Sequence, residues 1–84
     1  MGTIEQILAR YRYAREAARL SQRDVSRHFD VDRGTVWRWE KGETPISLEV
    51  LFASATLFNC ELGWLLLGVG DPPEPAALRD LAAS

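Results

Sequence analysis

The stretch RGTVWRWEK, residues 33–41, gathers the side chains best equipped for recognition chemistry. An arginine guanidinium is a planar fork of donors that matches the O6 and N7 acceptors of guanine, and a lysine ammonium is a point charge suited to phosphate. At about 100° per residue, Arg33, Trp37, Lys41, Gly34 and Arg38 fall within one helical arc of about 140°. That arc holds three positive charges and no negative one, and Gly34 leaves room for another surface to approach. Val36 and Trp39 fall together on the other side and are expected in the core. A helix built from these residues would present a cationic reading face to a DNA major groove. The simpler reading of Arg33 and Arg38 is solvated surface. Three uses of Trp37 stay open: flat against a sugar or a thymine methyl, folded over an arginine stem, or against a protein partner.

Other chemistries find little to work with. One cysteine, Cys60, and one histidine, His28, exclude an internal disulfide and a cysteine-rich metal site. No nucleophile–base pair, glycine-rich phosphate loop or pair of acids with a third partner stands out. The expectation is no enzyme, no cofactor and no metal. His28 is read as surface and Cys60 as inert core. The chain of 84 residues suits one domain of marginal stability, and 46% apolar with 26% charged residues is a globular composition. No apolar run approaches the roughly 18 residues of a membrane span. The N-terminus lacks the basic and apolar regions of a signal peptide, and Gln6 stands where myristoylation requires Ser or Thr. A cytoplasmic protein is expected.

Net charge is −2, but it is unevenly spread. Residues 10–41 carry nine basic and five acidic groups, or +4, and residues 42–84 carry one basic and six acidic groups, or −5. This asymmetry fits a basic nucleic-acid face on an acidic protein, or simply a dipolar surface that favours solubility.

The elements that position the reading face are all helical by periodicity. Ile4, Ile7, Leu8, Tyr11, Ala14 and Ala18 mark one face of a helix over about 4–18, opened by a Thr3–Gln6 capping box. Three further starts share one device, an apolar residue before a capping side chain and another four after it. They are Leu20-Ser21 with Val25, Val31-Asp32 with Val36, and Ile46-Ser47 with Leu51. Each reads as a hydrophobic staple over an N-cap, giving helices at about 22–29, 33–41 and 48–58. Gly42 and Pro45 end the third helix, and Asn59 the fourth. A short fifth helix is expected at about 61–67, before Gly68 and Gly70. Residues 1–68 then form the domain. Residues 69–84 form a Pro-rich spacer and tail, whose last ten residues could make a weak helix. The two or three residues between the second and third helices force a sharp angle, the geometry of a helix-turn-helix.

With that unit in place, LSQRDVSRHFDVDRGTVWRWEKGE resembles the lambda-repressor-like Cro/CI (XRE-type) helix-turn-helix DNA-binding family. The match lies at Leu20, Ser21, Gln22, Val31, Thr35, Val36, Arg38, Trp39, Glu40, Lys41 and Gly42. FNCELGWLLLG is similar to the family's fifth helix, so the resemblance spans residues 4–68. It implies an all-α, five-helix domain with its third helix in the major groove. It implies base-facing roles for Arg33, Gly34, Trp37 and Arg38, and DNA-backbone contacts from Ser21, Gln22, Lys41 and Thr44. It also implies a structural ion pair between Arg15 and Glu40. Departures are Arg19 and Asp30 in place of glycines, Ser26 for alanine, Glu61 for a better cap, Glu43 in the phosphate-facing loop and Trp37 at a position more often small or polar.

In the fifth helix, Leu62, Leu65 and Leu66 share a face, while Trp64 and Leu67 fall elsewhere. An exposed Trp64–Leu67 patch would be a dimer interface. The alternative is a tail folded back over it. The expected function is sequence-specific transcriptional regulation, as a phage-type repressor or Cro-like homodimer on a near-palindromic double-stranded operator. A second reading is a protein-interaction module, such as the antitoxin of a toxin–antitoxin pair, with a partner held by the C-terminal half. A third has the chain as the DNA-binding part of a longer repressor.

Overall fold

A computed structural model of the chain describes residues 3–76, and these contain five helices and no strand. They are α1 (Ile4–Ala17), α2 (Gln22–Phe29), α3 (Arg33–Lys41), α4 (Leu48–Leu57) and α5 (Leu62–Leu67). All bounds lie within one residue of those expected. The starts are fixed by local chemistry. Thr3 Oγ1 accepts from the Gln6 amide at 3.2 Å while Gln6 Oε1 accepts from the Thr3 amide. Ser21 and Asp24 make the same reciprocal pair at 3.0 and 2.8 Å. Asp32 and Ser47 cap α3 and α4 by accepting from the Thr35 and Val50 amides. Glu61 makes no side-chain cap on α5.

The helix ends share one geometry. Arg19, Asp30, Gly42, Asn59 and Gly68 follow the five helices, each with a φ between 55° and 76°. The next amide then reaches back five residues, as in Leu20 to the Arg15 carbonyl at 3.1 Å and Val31 to the Ser26 carbonyl at 2.9 Å. This closing bond leaves an apolar residue over the finished helix. Leu20, Val31 and Cys60 are also the residues just before the next N-cap. One side chain thus closes one helix and staples the next, which is why the connections can be so short.

Helices α2 and α3 pack on each other, α1 contacts α3 and α5, and α4 packs on α5. Tyr11, Val25, Val36, Phe58 and Leu65 are fully buried at the centre. The Tyr11 ring meets Phe58 edge-on at 5.1 Å, and its hydroxyl shares a 2.7 Å hydrogen bond with Ser54 Oγ. Burial pushes that phenol up to about 12. Ile4, placed on the inner face by spacing, is exposed at the first position of α1.

Trp64 requires a correction. It is not part of an exposed patch but is 8% exposed, with the Tyr13 ring 5.9 Å away. The chain turns back after Gly68. Pro72 lines a cleft with Ala9, Arg10, Tyr13 and Trp64, and Pro73 is buried. Arg10 secures the turn by donating to the carbonyls of Leu65 and Leu66 at 2.9 and 3.1 Å. A helical wheel of α5 has no knowledge of the segment that follows it. Leu67 remains 61% exposed, Leu62 and Leu66 are half-buried, and Cys60 is half-buried rather than core. Most of the weak helix expected over the last ten residues lies outside the described residues.

Candidate nucleic-acid interface

The first turn of α2, the outer face of α3 and the middle of α1 enclose an open groove. Arg12 and Arg15 line it from α1, Ser21, Gln22 and Arg23 from the start of α2, and Arg33, Trp37, Glu40 and Lys41 from α3. The floor is the Arg15–Glu40 pair. Arg15 Nε donates to Glu40 Oε2 at 2.6 Å and Nη2 to Oε1 at 3.1 Å, a bidentate fork. Arg15 Nη1 also donates to the Leu20 carbonyl at 2.9 Å, tying the end of α1 to the same group. Gln22 Nε2 donates to Glu40 Oε1 at 3.3 Å. The glutamine at the groove's edge is therefore anchored through Glu40 to α1.

The reading face divides into two rows. Arg33, Trp37 and Lys41, four residues apart, form the row that faces the groove. Trp37 is 43% exposed, and the Lys41 ammonium sits 5.6 Å from its ring centroid. The cation beside Trp37 is thus Lys41, which is none of the three uses left open for it. Arg38 lies on the second row, outside the groove. Its Nη2 donates to Thr35 Oγ1 at 3.2 Å and stands 3.9 Å from Asp32 Oδ1. Gly34 lies between the rows, and its bare Cα is not simply open: an added Cβ would lie 3.1 Å from Arg38 Nη1 and 3.1 Å from Asp32 Oδ1. Hydrogen bonds from Thr35, with the Arg38 charge beyond them, hold the Asp32 carboxyl below the usual carboxylate range.

Ser21 lies at the groove with its hydroxyl committed to the α2 cap. Thr44 stands apart. It borders a separate hollow with Ile4, Leu8, Trp39 and Gly42, beyond the end of α3. Arg12 and Arg23 belong to the site without being singled out by the sequence, and Asp32, which the sequence marks only as a helix cap, stands beside Arg38. Arg23 follows Gln22 directly, and Arg12 precedes Arg15 by one helical turn. That spacing was the only signal available for them. Among the described residues no group of three or more His, Cys, Asp or Glu side chains could hold a metal, and no helix is long and apolar enough to cross a membrane.

A helix-turn-helix family model matches residues 12–65, which covers all of α2, α3 and α4, the C-terminal part of α1 and most of α5. The chain is also similar to the HTH-type transcriptional regulator DicA of Escherichia coli (strain K12), 29% identical over 76 residues. That alignment takes in 89% of this chain and 56% of DicA, so the chain spans about half the length of that relative. No solved structure matches the chain. With the family model covering well over half of its residues, the protein belongs to the lambda-repressor-like (Cro/CI, XRE-type) helix-turn-helix family of DNA-binding domains.

Proposed function

We propose that the protein is a sequence-specific transcriptional regulator, a repressor of phage or Cro type, that binds a near-palindromic operator as a homodimer. The observation that carries this reading is the cationic groove between α1, α2 and α3, with Arg33, Trp37 and Lys41 along its rim. With α3 in the major groove, Arg33, Gly34, Trp37 and Arg38 face the bases. Ser21, Gln22 and Lys41 meet the backbone, joined by Arg12 and Arg23 from the groove wall. Thr44 contacts the backbone from the loop after α3. Two copies would place their α3 helices about one DNA turn apart, roughly 34 Å. Leu67 and the neighbouring Val69 are exposed apolar residues suited to the dimer contact.

Selection from random duplex DNA tests this, with affinity followed against salt. A two-fold symmetric motif is expected, with an affinity that falls steeply as salt rises, by a log–log slope of about 0.9 per phosphate contact. Weak binding with no enriched motif defeats the reading. A stoichiometric protein that copurifies with the chain would favour the antitoxin reading instead.

A further inference from the structure

Arg38 does not reach out freely from α3. Its guanidinium lies back along the helix toward the first turn, the direction in which long helical side chains lean. There it meets an ordered relay. Asp32 Oδ1 accepts from the Thr35 amide at 2.7 Å and from the Thr35 hydroxyl at 3.2 Å. Thr35 Oγ1, its one proton spent, accepts from Arg38 Nη2 at 3.2 Å. A carboxylate can only accept, so Asp32 fixes the direction of both hydroxyl bonds. Gly34 supplies the space, because a Cβ there would lie 3.1 Å from both Arg38 Nη1 and Asp32 Oδ1, and one or both would have to give by a few tenths of an ångström.

The side chains of Arg38 and Asp32 are 44% and 75% exposed. Contacts this wet contribute little to stability. Their effect is on where Arg38 points. A guanidinium has five N–H donors, so one spent on Thr35 leaves enough for a fork to guanine. We infer that Asp32, Thr35 and the gap at Gly34 are positioning elements that hold Arg38 aimed at a G·C pair, and so set discrimination at that pair. This rests on the reading that Arg38 contacts a base. Asp32 carries an opposing effect as well, since a carboxylate on the DNA-facing side repels phosphate whatever the sequence. Neutralising it lowers discrimination at one pair while raising affinity for unrelated DNA. A residue that served only as a helix cap would leave discrimination at that pair unchanged, because asparagine caps as well as aspartate.

The test compares the wild type with Arg38→Ala, Asp32→Asn and Gly34→Ala, each also followed by thermal unfolding. Affinity is measured for the selected duplex, for single-pair variants of it and for an unrelated duplex. Arg38→Ala identifies the pair that Arg38 reads. Asp32→Asn and Gly34→Ala are expected to cut discrimination there by about two- to tenfold, the worth of one pre-ordered side chain, and to leave other pairs alone. Asp32→Asn should also tighten binding to the unrelated duplex. If Arg38→Ala affects one pair but Asp32→Asn leaves discrimination there intact, the positioning role is overturned and the base contact stands. If Arg38→Ala weakens every duplex equally, or no duplex binds, the base contact itself fails and the positioning role falls with it. Should Gly34→Ala fail to fold, Asp32→Asn decides alone.

Discussion

Replacing Glu40 by alanine while Arg15 remains should cost about 3–5 kcal/mol, the penalty of a buried charge left without its partner. The structure sets the scale. The two side chains are 10% and 5% exposed, and the closest contact is 2.6 Å. Two unit charges about 3 Å apart attract by about 5–6 kcal/mol at an effective dielectric of 20. Most of that attraction offsets the cost of drying both groups, so it reappears only when one partner is removed. For a chain of this size, total stability is on the order of 4–13 kcal/mol. The single variant should therefore melt about 12–40 °C lower and sit near the edge of folding. Arg15→Ala should behave alike. The double variant Arg15→Met/Glu40→Met should return to within about 2 kcal/mol of the wild type, because apolar side chains of similar volume often replace a buried ion pair without loss. Urea unfolding followed by the helical circular dichroism signal, on the wild type, Arg15→Met, Glu40→Met and the double variant, gives all the terms of the cycle. A coupling energy below about 1 kcal/mol would mean that solvent screens the pair like a surface bridge, and would refute this account. DNA affinity adds a second readout. Gln22 donates to Glu40 Oε1, so the double variant should recover its fold without recovering full affinity.

Four further outcomes follow from single features. Arg19 holds φ 61° with a full side chain, so Arg19→Gly should stabilise by about 0.5–1 kcal/mol, read as a higher urea midpoint. The Asp24 and Asp32 carboxyls are held low, chiefly by hydrogen bonds from the Ser21 and Thr35 backbones. Each stabilises the fold above the unfolded pKa and loses that contribution as pH falls below about 4, so Asp32→Asn should flatten the acid limb of melting temperature against pH. Ending the chain after Gly68 removes buried Pro73 and uncovers Trp64, which should cost about 1–2 kcal/mol; an unchanged urea midpoint would mean that the tail does not pack. Leu67→Lys should weaken self-association in sedimentation while changing stability by less than about 0.5 kcal/mol.

The parts of the fold that were legible in the sequence are those decided within five or six residues. A serine or aspartate between two apolar residues fixes a helix start, because the orphan amides it satisfies are its own neighbours. The alternation of Val36 and Trp39 with Arg33 and Trp37 fixes which side of α3 faces inward, because a helix has one geometry. Trp64 failed this kind of reading because what lies against it comes from outside the helix, the Tyr13 ring of α1 and the cleft it shares with Pro72. Arg12 and Arg23 were missed because the groove exists only once three helices are assembled. On a helical wheel Gly34 leaves a vacant position, and a wheel cannot show that Arg38, four residues later, leans back over it.

The site depends on the same short-range chemistry that made the fold legible. Helix α3 has nine residues, too few to hold a helical shape in water alone. Its aim must come from what grips it. On the inner side Glu40 is clamped by Arg15 and Gln22, which fixes the C-terminal half of α3 against α1 and α2. At the N-terminal end Asp32 caps the helix and takes the Thr35 hydroxyl, which in turn holds Arg38. Just before the cap of α3 stands Val31, bonded back to Ser26 of α2. The angle between α2 and α3 is therefore set by a residue that belongs to both helix termini. Loosening any of the three should degrade recognition before it unfolds the domain, because each acts on the orientation of α3 while the Val36–Trp39 side stays packed in the core.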